Sequence, residues 1–359
     1  MKTGIYINRL GYEAKQSERD TITTEEEVNI NADGNTYLSQ AFSQWSYRLS
    51  ESFTINGGVH LLYFHLNETA SLEPRLSARY TIDPTKSISI GYGLHGQTQP
   101  LPNYFYTSTL PNGQVLKPNE SLEMTKSHHF VAGYSQAINE HIHAKAEVYY
   151  QHLFNIPIST DPTSTYALMN QEWGFATEPL VNDGIGRNVG VEVTVEQFMK
   201  KGLYYLATLS LYDSKYRAAD GNWYNTRFNG NRVLTFTGGK EFNLGGGDKP
   251  RTLSVNLKTV WGGGFRTTPI DRAASISAEE EVEITDQTFS DQLPDYFRTD
   301  IRIAMKRQRP KSTHTLSLDI QNVTNRQNVG GQEFNEDTGE VEYWYQTGLI
   351  PVLAYRLQF

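Results

Sequence analysis

Apolar and polar side chains alternate one by one along most of this chain. Ile142, Ala144, Ala146, Val148 and Tyr150 share one parity, and His143, Lys145, Glu147, Tyr149 and Gln151 share the other. Phe297, Thr299, Ile301, Ile303 and Met305 oppose Arg298, Asp300, Arg302 and Lys306 in the same way. A period of two sends successive side chains to opposite faces of a β-strand. Such segments predict about fourteen strands, near 3–12, 36–49, 53–66, 72–82, 87–97, 126–138, 142–155, 185–198, 203–216, 228–243, 251–262, 295–308, 312–324 and 346–359. Most are longer than the roughly 5–6 residues usual in soluble sheets.

The spaces between the strands alternate too. Short connections fall at 50–52, 83–86, 139–141, 200–202, 245–248 and 310–311. Long ones fall at 13–34, 98–125, 156–184, 217–227, 263–294 and 325–345. Tight turns at one end and long loops at the other suit an antiparallel transmembrane β-barrel, with its turns in the periplasm and its loops outside. A soluble sandwich has no reason to sort its loops this way.

Composition agrees. The mean hydropathy is -0.54, and no run of 18 apolar residues occurs, so no helix is expected to span a bilayer. A spanning strand needs apolar residues only at alternate positions, so a barrel is polar on average. The 22 Tyr, 16 Phe and 5 Trp supply aromatic girdles, and 29 Gly supply turns. There is no cysteine, which excludes disulfides and thiolate metal sites. A net charge of -8 argues against nucleic acid as a partner.

The chain ends on a strand with Leu353, Tyr355, Leu357 and Phe359 on one face. An alternating strand closing on a terminal aromatic resembles the signal read by the outer-membrane barrel assembly machinery. It predicts that the last strand runs toward the periplasm. Counting back makes the 13–34 loop external, as its length suggests.

Several stretches in order carry a family resemblance: SLEPRLSARY (71–80), PLPNYFY (100–106), TKSHHFVAGY (125–134), YYQHLFNIP (149–157), VNDGIGRNVG (181–190), FNGNRVLTFTGGKEF (228–242), TPID (268–271), PDYFRTDIR (294–302) and DIQNVTN (319–325). Together they resemble TonB-dependent outer-membrane receptors of Bacteroidetes, the subgroup bearing a carboxypeptidase-regulatory-like N-terminal domain. The resemblance spans nearly the whole chain. It implies a 22-stranded barrel with a plugged lumen, a small nutrient ligand (iron chelate, glycan or peptide) bound from outside, and energy supplied through TonB. The whole chain, 1–359, is then expected to be the C-terminal part of such a barrel. The start, MKTGIYINRLGYEA, lacks the apolar stretch of an export signal, and Met1 is expected to be an internal start. A truncated or self-standing outer-membrane barrel with a structural or binding role and no active transport stays open as the alternative.

Candidate chemistry is sparse. Gly133-Tyr134-Ser135-Gln136-Ala137 fails the nucleophile-elbow pattern at its last position, and no zincin or P-loop motif occurs. An enzyme is not expected, and neither is a cofactor or a metal. His141 and His143 share a parity but lack a third ligand. Glu73, Arg75 and Arg79 share one strand face, as do Lys145 and Glu147. They read either as a lumen ion-pair network or as contacts to plug or substrate. Asn103, Tyr104, Phe105 and Tyr106 form an aromatic loop segment suited to ligand capture or to loop-on-loop packing. The acidic stretch 271–291 reads as solvated.

Overall fold

A computed structural model describes residues 1–19, 26–110, 112–245 and 250–359. Fourteen long strands form one continuous antiparallel sheet, each bonded to its neighbours in the sequence. They are β1 (Lys2–Arg19), β2 (Glu26–Arg48), β3 (Phe53–Phe64), β4 (Thr69–Asp83), β5 (Lys86–Gln97), β6 (Thr125–Ala137) and β7 (Ile142–Ser159). Then come β8 (Leu180–Lys200), β9 (Leu203–Arg217), β10 (Arg232–Asn243), β11 (Arg251–Gly262), β12 (Tyr296–Arg309), β13 (Ser312–Gln321) and β14 (Ile350–Gln358). A short strand, Trp223–Asn225, adds to β9 off this path. Among the described residues β1 and β14 do not pair with each other, so the sheet has two free edges.

The register keeps the two parities apart across the wall. Leu61 faces Leu72, and Ile55 faces Ala78; Ile90 faces Ala132. On the other parity His60 faces Glu73, Asn56 faces Ser77 and Lys258 faces Asp300. The large apolar residues are the exposed ones: Leu72 is 62% accessible and Leu353 is 72%. Apolar surface turned outward on every strand is the reverse of a water-soluble sheet, and it is what a hydrocarbon environment requires. No helix is long and apolar enough to cross a membrane. The wall strands instead pair their backbone with that of their neighbours, with register shifts at a few points such as Gln16/Ser17 and Val181/Gly184.

Turn chemistry fixes the periplasmic ends. Between β8 and β9, Lys201 has φ 50° and Gly202 has φ 78°. Two successive positive φ values match the twist of a tight two-residue hairpin, and glycine adopts them without a steric cost. Of the short connection expected at 245–248, residues 246–248 lie outside the described residues.

The structure departs from the sequence reading at the external ends. The 13–34 loop is for the most part a continued hairpin, with Lys2–Gln44 pairing extending to Arg19–Glu26. Its described residues are mostly polar, and the few apolar ones, such as Ile30, do not recur at alternate positions. The alternation of connection lengths also breaks once, because β3 and β4 join through 65–68 alone. The loop 325–345 contains a hairpin, Val329–Asn335 with Glu340–Tyr345. The loop 263–294 contains a short helix, Arg272–Ala278, whose N-cap Asp271 accepts from the Ala274 amide at 3.0 Å.

Candidate ligand-binding face

Loops from the external end fold over the inner face and build a hydrophobic core of their own. Phe64, Leu62, Tyr104, Leu122, Met124, Leu168 and Leu180 pack together, with Leu10 and Leu38 at the margin. Leu38 and Leu62 sit on the polar parity of β2 and β3, beyond the stretch where that face is charged. The inner face therefore turns apolar where the loops cover it.

This core places the loop residues singled out above. Tyr104 is 1% accessible; its ring lies 5.3 Å from Phe64, and its hydroxyl accepts from the Gln99 amide at 3.0 Å. Burial pushes its phenol up to about 12. Asn103 is buried and accepts from the Ala176 amide at 2.8 Å. Tyr106 is buried beside Ile30, and Phe105 packs 4.5 Å from Tyr12. Asn103, Tyr104 and Tyr106 are thus buried within the loop layer, and Phe105 is partly buried. Asn119 works alike, giving a hydrogen bond to the Glu178 carbonyl and taking one from the Leu180 amide, so it ties loop 98–124 to loop 160–179.

A second set of loop residues leaves a chamber of about 650 Å³ open to the outside. Its wall is assembled from segments far apart in sequence: 161–173, Arg227 and 268–289. Tyr216, buried at the base, donates to the Thr165 carbonyl at 2.8 Å, and the Thr165 and Thr288 hydroxyls meet at 2.8 Å. Arg227 forms an ion pair with Glu172. The Arg227 amide donates to the Asn170 side-chain oxygen at 3.1 Å. Two buried donors, Asn170 Nδ2 and Arg227 Nε, have no acceptor among the described residues. A buried donor without a partner costs about 1–3 kcal/mol, so a ligand acceptor here gains more than it would at the surface. Trp173 stands 74% exposed beside them. Glu283 lines the same wall; desolvation and the neighbouring Glu281 hold its carboxyl above the usual range, against Arg227.

The sequence reading missed this chamber. Asn170-Gln171-Glu172-Trp173 is a dense polar-aromatic run and could have been flagged. Arg227 and Glu283 had no local signal. The 271–291 stretch is not merely solvated, since Asp271 caps a helix and the Glu281 carboxylate accepts from the Phe334 amide at 3.0 Å.

On the inner wall below, Glu73 is a hub. It is 2% accessible and meets His60 at 2.9 Å, Arg75 at 3.1 Å and the Gly96 amide at 2.8 Å. Arg79 stands apart and donates to Ser87 at 3.0 Å. Lys145 pairs with Glu147 at 2.6 Å, and Arg298 with Asp300 at 2.7 Å. A groove of about 520 Å³ runs beside the hub, floored by Gly58, Gly91 and Gly93 and flanked by His60, His95 and His129. Among the described residues, no group of three or more His, Asp or Glu is arranged to hold a metal ion. His143 lies on β7 and His141 in the turn before it. At the far edge Leu353, Tyr355 and Leu357 share the outward parity of β14, and Phe359 ends the chain fully exposed.

Several solved structures share this architecture. The ferric yersiniabactin uptake receptor FyuA from Yersinia pestis matches with a TM-score of 0.64 at 14% identity, over 99% of this chain and 51% of that one. The siderophore receptor PiuA from Acinetobacter baumannii matches at 0.61 and 12%, over 93% and 44%. The ferric-catecholate import receptor Fiu from K12 E. coli matches at 0.60 and 12%, over 91% and 45%. The chain thus spans about half the length of these proteins or less. No curated protein sequence matches it. The family described as "TonB dependent receptor-like, beta-barrel" matches residues 5–323, and the chain belongs to that family of Gram-negative outer-membrane receptor barrels.

Proposed function

We propose that this chain is the C-terminal part of the barrel wall of a TonB-dependent receptor, and that the intact receptor takes up a scarce nutrient across the outer membrane. The family match over 5–323 carries this reading. The family is one of receptors and not of enzymes. An iron chelate comes first among the ligand classes, because Fiu, PiuA and FyuA are described as iron or siderophore receptors. A glycan or a peptide follows. The Bacteroidetes subgroup rests on the sequence stretches quoted above.

Further strands of the same barrel are proposed to pair with the free edges of β1 and β14. The plug and the TonB complex complete the working receptor. In that assembly Glu73, Arg75, Arg79, Lys145 and Glu147 face the plug side. Asn103, Tyr104, Phe105 and Tyr106 brace the loop layer that presents the ligand chamber. Leu353, Tyr355, Leu357 and Phe359 serve as the signal to the assembly machinery, and outer-membrane lipid surrounds the outward parity.

The test is uptake in cells expressing the full-length receptor in a strain lacking its own copy. Energy-dependent accumulation of one radiolabelled ferric siderophore, abolished by collapse of the proton gradient, is the expected outcome. Accumulation of no ferric siderophore, glycan or peptide would sink the transport reading. Arg227→Ala should weaken chamber binding roughly tenfold if the ligand takes the two orphan donors.

A further inference from the structure

The outward parity carries a feature that the transport reading does not use. Four neighbouring strands place a basic or imidazole side chain in one register row near the external end. His128 of β6 faces His152 of β7, His152 faces Arg187 of β8, and Arg187 faces Lys215 of β9. Further out on the same face, Lys126 and Arg217 add a cation at either side of the row. Charges on the lipid side of a barrel wall are costly unless they sit at the interface.

These cations are poorly neutralised by protein. Among the described residues Lys215 has only Asp213, at 3.9 Å. Arg187, Arg217 and Lys126 have no carboxylate at ion-pair distance among the described residues. The Arg187 guanidinium lies 4.8 Å from the Trp223 ring centre. A guanidinium resting on an indole keeps its N–H edge free for a planar anion. His128 belongs to the aromatic band: it meets the Tyr92 hydroxyl at 3.0 Å and stacks 5.1 Å from Phe154.

The next row toward the membrane centre is Tyr92, Phe130, Tyr150 and Val189. The row after that is Ala78, Ile90, Ala132, Val148 and Val191. Small Ala78 and Ala132 beside tall aromatic rings leave a depression of about 630 Å³, with an almost wholly apolar lining. From outside to centre the order is cations, aromatic band, apolar trough. That is the order of an acylated lipid with a phosphate head: phosphate outermost, then the glycerol or sugar backbone, then acyl chains.

We propose that this face is a binding site for a phosphate-bearing, multiply acylated lipid of the outer leaflet. Arg187, Lys215, Lys126 and Arg217 hold its phosphates, and the Ala78–Ala132 trough seats an acyl chain. Arg–phosphate contacts are charge-assisted and directional, and each cation near an anionic membrane surface adds several-fold to affinity. The site rests on the membrane placement of the wall alone. Its success or failure is independent of which nutrient, if any, the receptor imports.

Native mass spectrometry of the full-length protein, delipidated in detergent and titrated with bis-phosphorylated lipid A or its dephosphorylated form, tests this. The expected result is one retained bis-phosphorylated lipid A per protein, with the dephosphorylated form held at least about tenfold more weakly. Lys126→Gln, Arg187→Gln and Arg217→Gln together should weaken the phosphorylated lipid by roughly tenfold or more. Ala132→Phe fills the trough, leaves the cations in place and should weaken both lipids. Equal binding of the two lipids by the wild-type protein overturns the proposal even if the triple variant fails to fold. Unchanged binding by Ala132→Phe overturns the acyl seat, and unchanged binding by the folded triple variant overturns the phosphate site.

Discussion

The membrane wall and the loop layer above it bury opposite things. In the wall Leu72, Leu76, Ile90 and Leu353 point away from the molecule, and the charged Glu73, Arg75 and Lys145 point in. In the loop layer Phe64, Tyr104 and Met124 are inside, as in any water-soluble domain. The wall is held by a continuous ladder of backbone hydrogen bonds in a medium with no competing water. The loop layer is held by burial of apolar surface and by asparagine cross-ties such as Asn103 and Asn119. The same substitution therefore means different things in the two regions.

The largest effect is expected in the loop layer. Tyr104→Ala removes a fully buried ring and should cost about 3–5 kcal/mol locally. Hydrogen exchange should show loops 98–124 and 160–179 losing protection together while the wall strands stay protected. Uniform loss across the molecule would erase the distinction between the two regions.

The wall responds to polarity instead of volume. Leu76→Arg places a cation on the lipid face and should cost about 2–4 kcal/mol if it sits near mid-bilayer. Ser77→Arg, one residue on and facing inward, should cost far less. Denaturant titration in lipid vesicles separates them, and equal losses would mean that the parity assignment is wrong.

Inside the wall, the Glu73 hub should matter more than the open ion pairs. Glu73→Leu leaves His60, Arg75 and the Gly96 amide without their shared acceptor, at about 1–3 kcal/mol. The same titration reads it.

The chamber is expected to sense pH weakly. The Glu283 carboxyl is raised in the folded loops, so the folded state holds its proton at pH values where the unfolded chain has released it. That contribution is complete below the ordinary carboxylate range and is lost as pH climbs through the raised value. Glu283 keeps substantial contact with water, so the slope should be shallow. Proteolytic protection of 263–289 should fall slightly with rising pH, and Glu283→Gln should flatten the curve.

Lys145→Ala, at a half-exposed pair, should shift stability by under about 1 kcal/mol. A loss as large as that of Glu73→Leu would show that burial does not rank these pairs.

Legibility in the sequence follows the same division. The strands of the wall could be placed because alternation is a local pattern, read within ten residues. The outer hairpin of β1 and β2 escaped, since it carries few apolar residues and its buried Ile30 is covered by a loop from elsewhere in the chain and not by a repeating apolar face. Tyr104 was noticed as an aromatic on a loop, but its burial depends on Phe64, Leu122 and Leu180, each from a different segment. The chamber was invisible for the same reason, because Asn170 and Arg227 meet across 57 residues.

The sequence by itself determined an all-β wall, which side of each strand meets lipid and which end carries the loops. A two-residue period and loop lengths encode these directly. Only the tertiary structure decided that the loops turn inward to make a second core, that two donors among the described residues are left without acceptors in an open chamber, and that basic and imidazole side chains from four strands line up in a row above an apolar trough. Each of these depends on register and on contacts between distant segments, and a linear pattern carries neither.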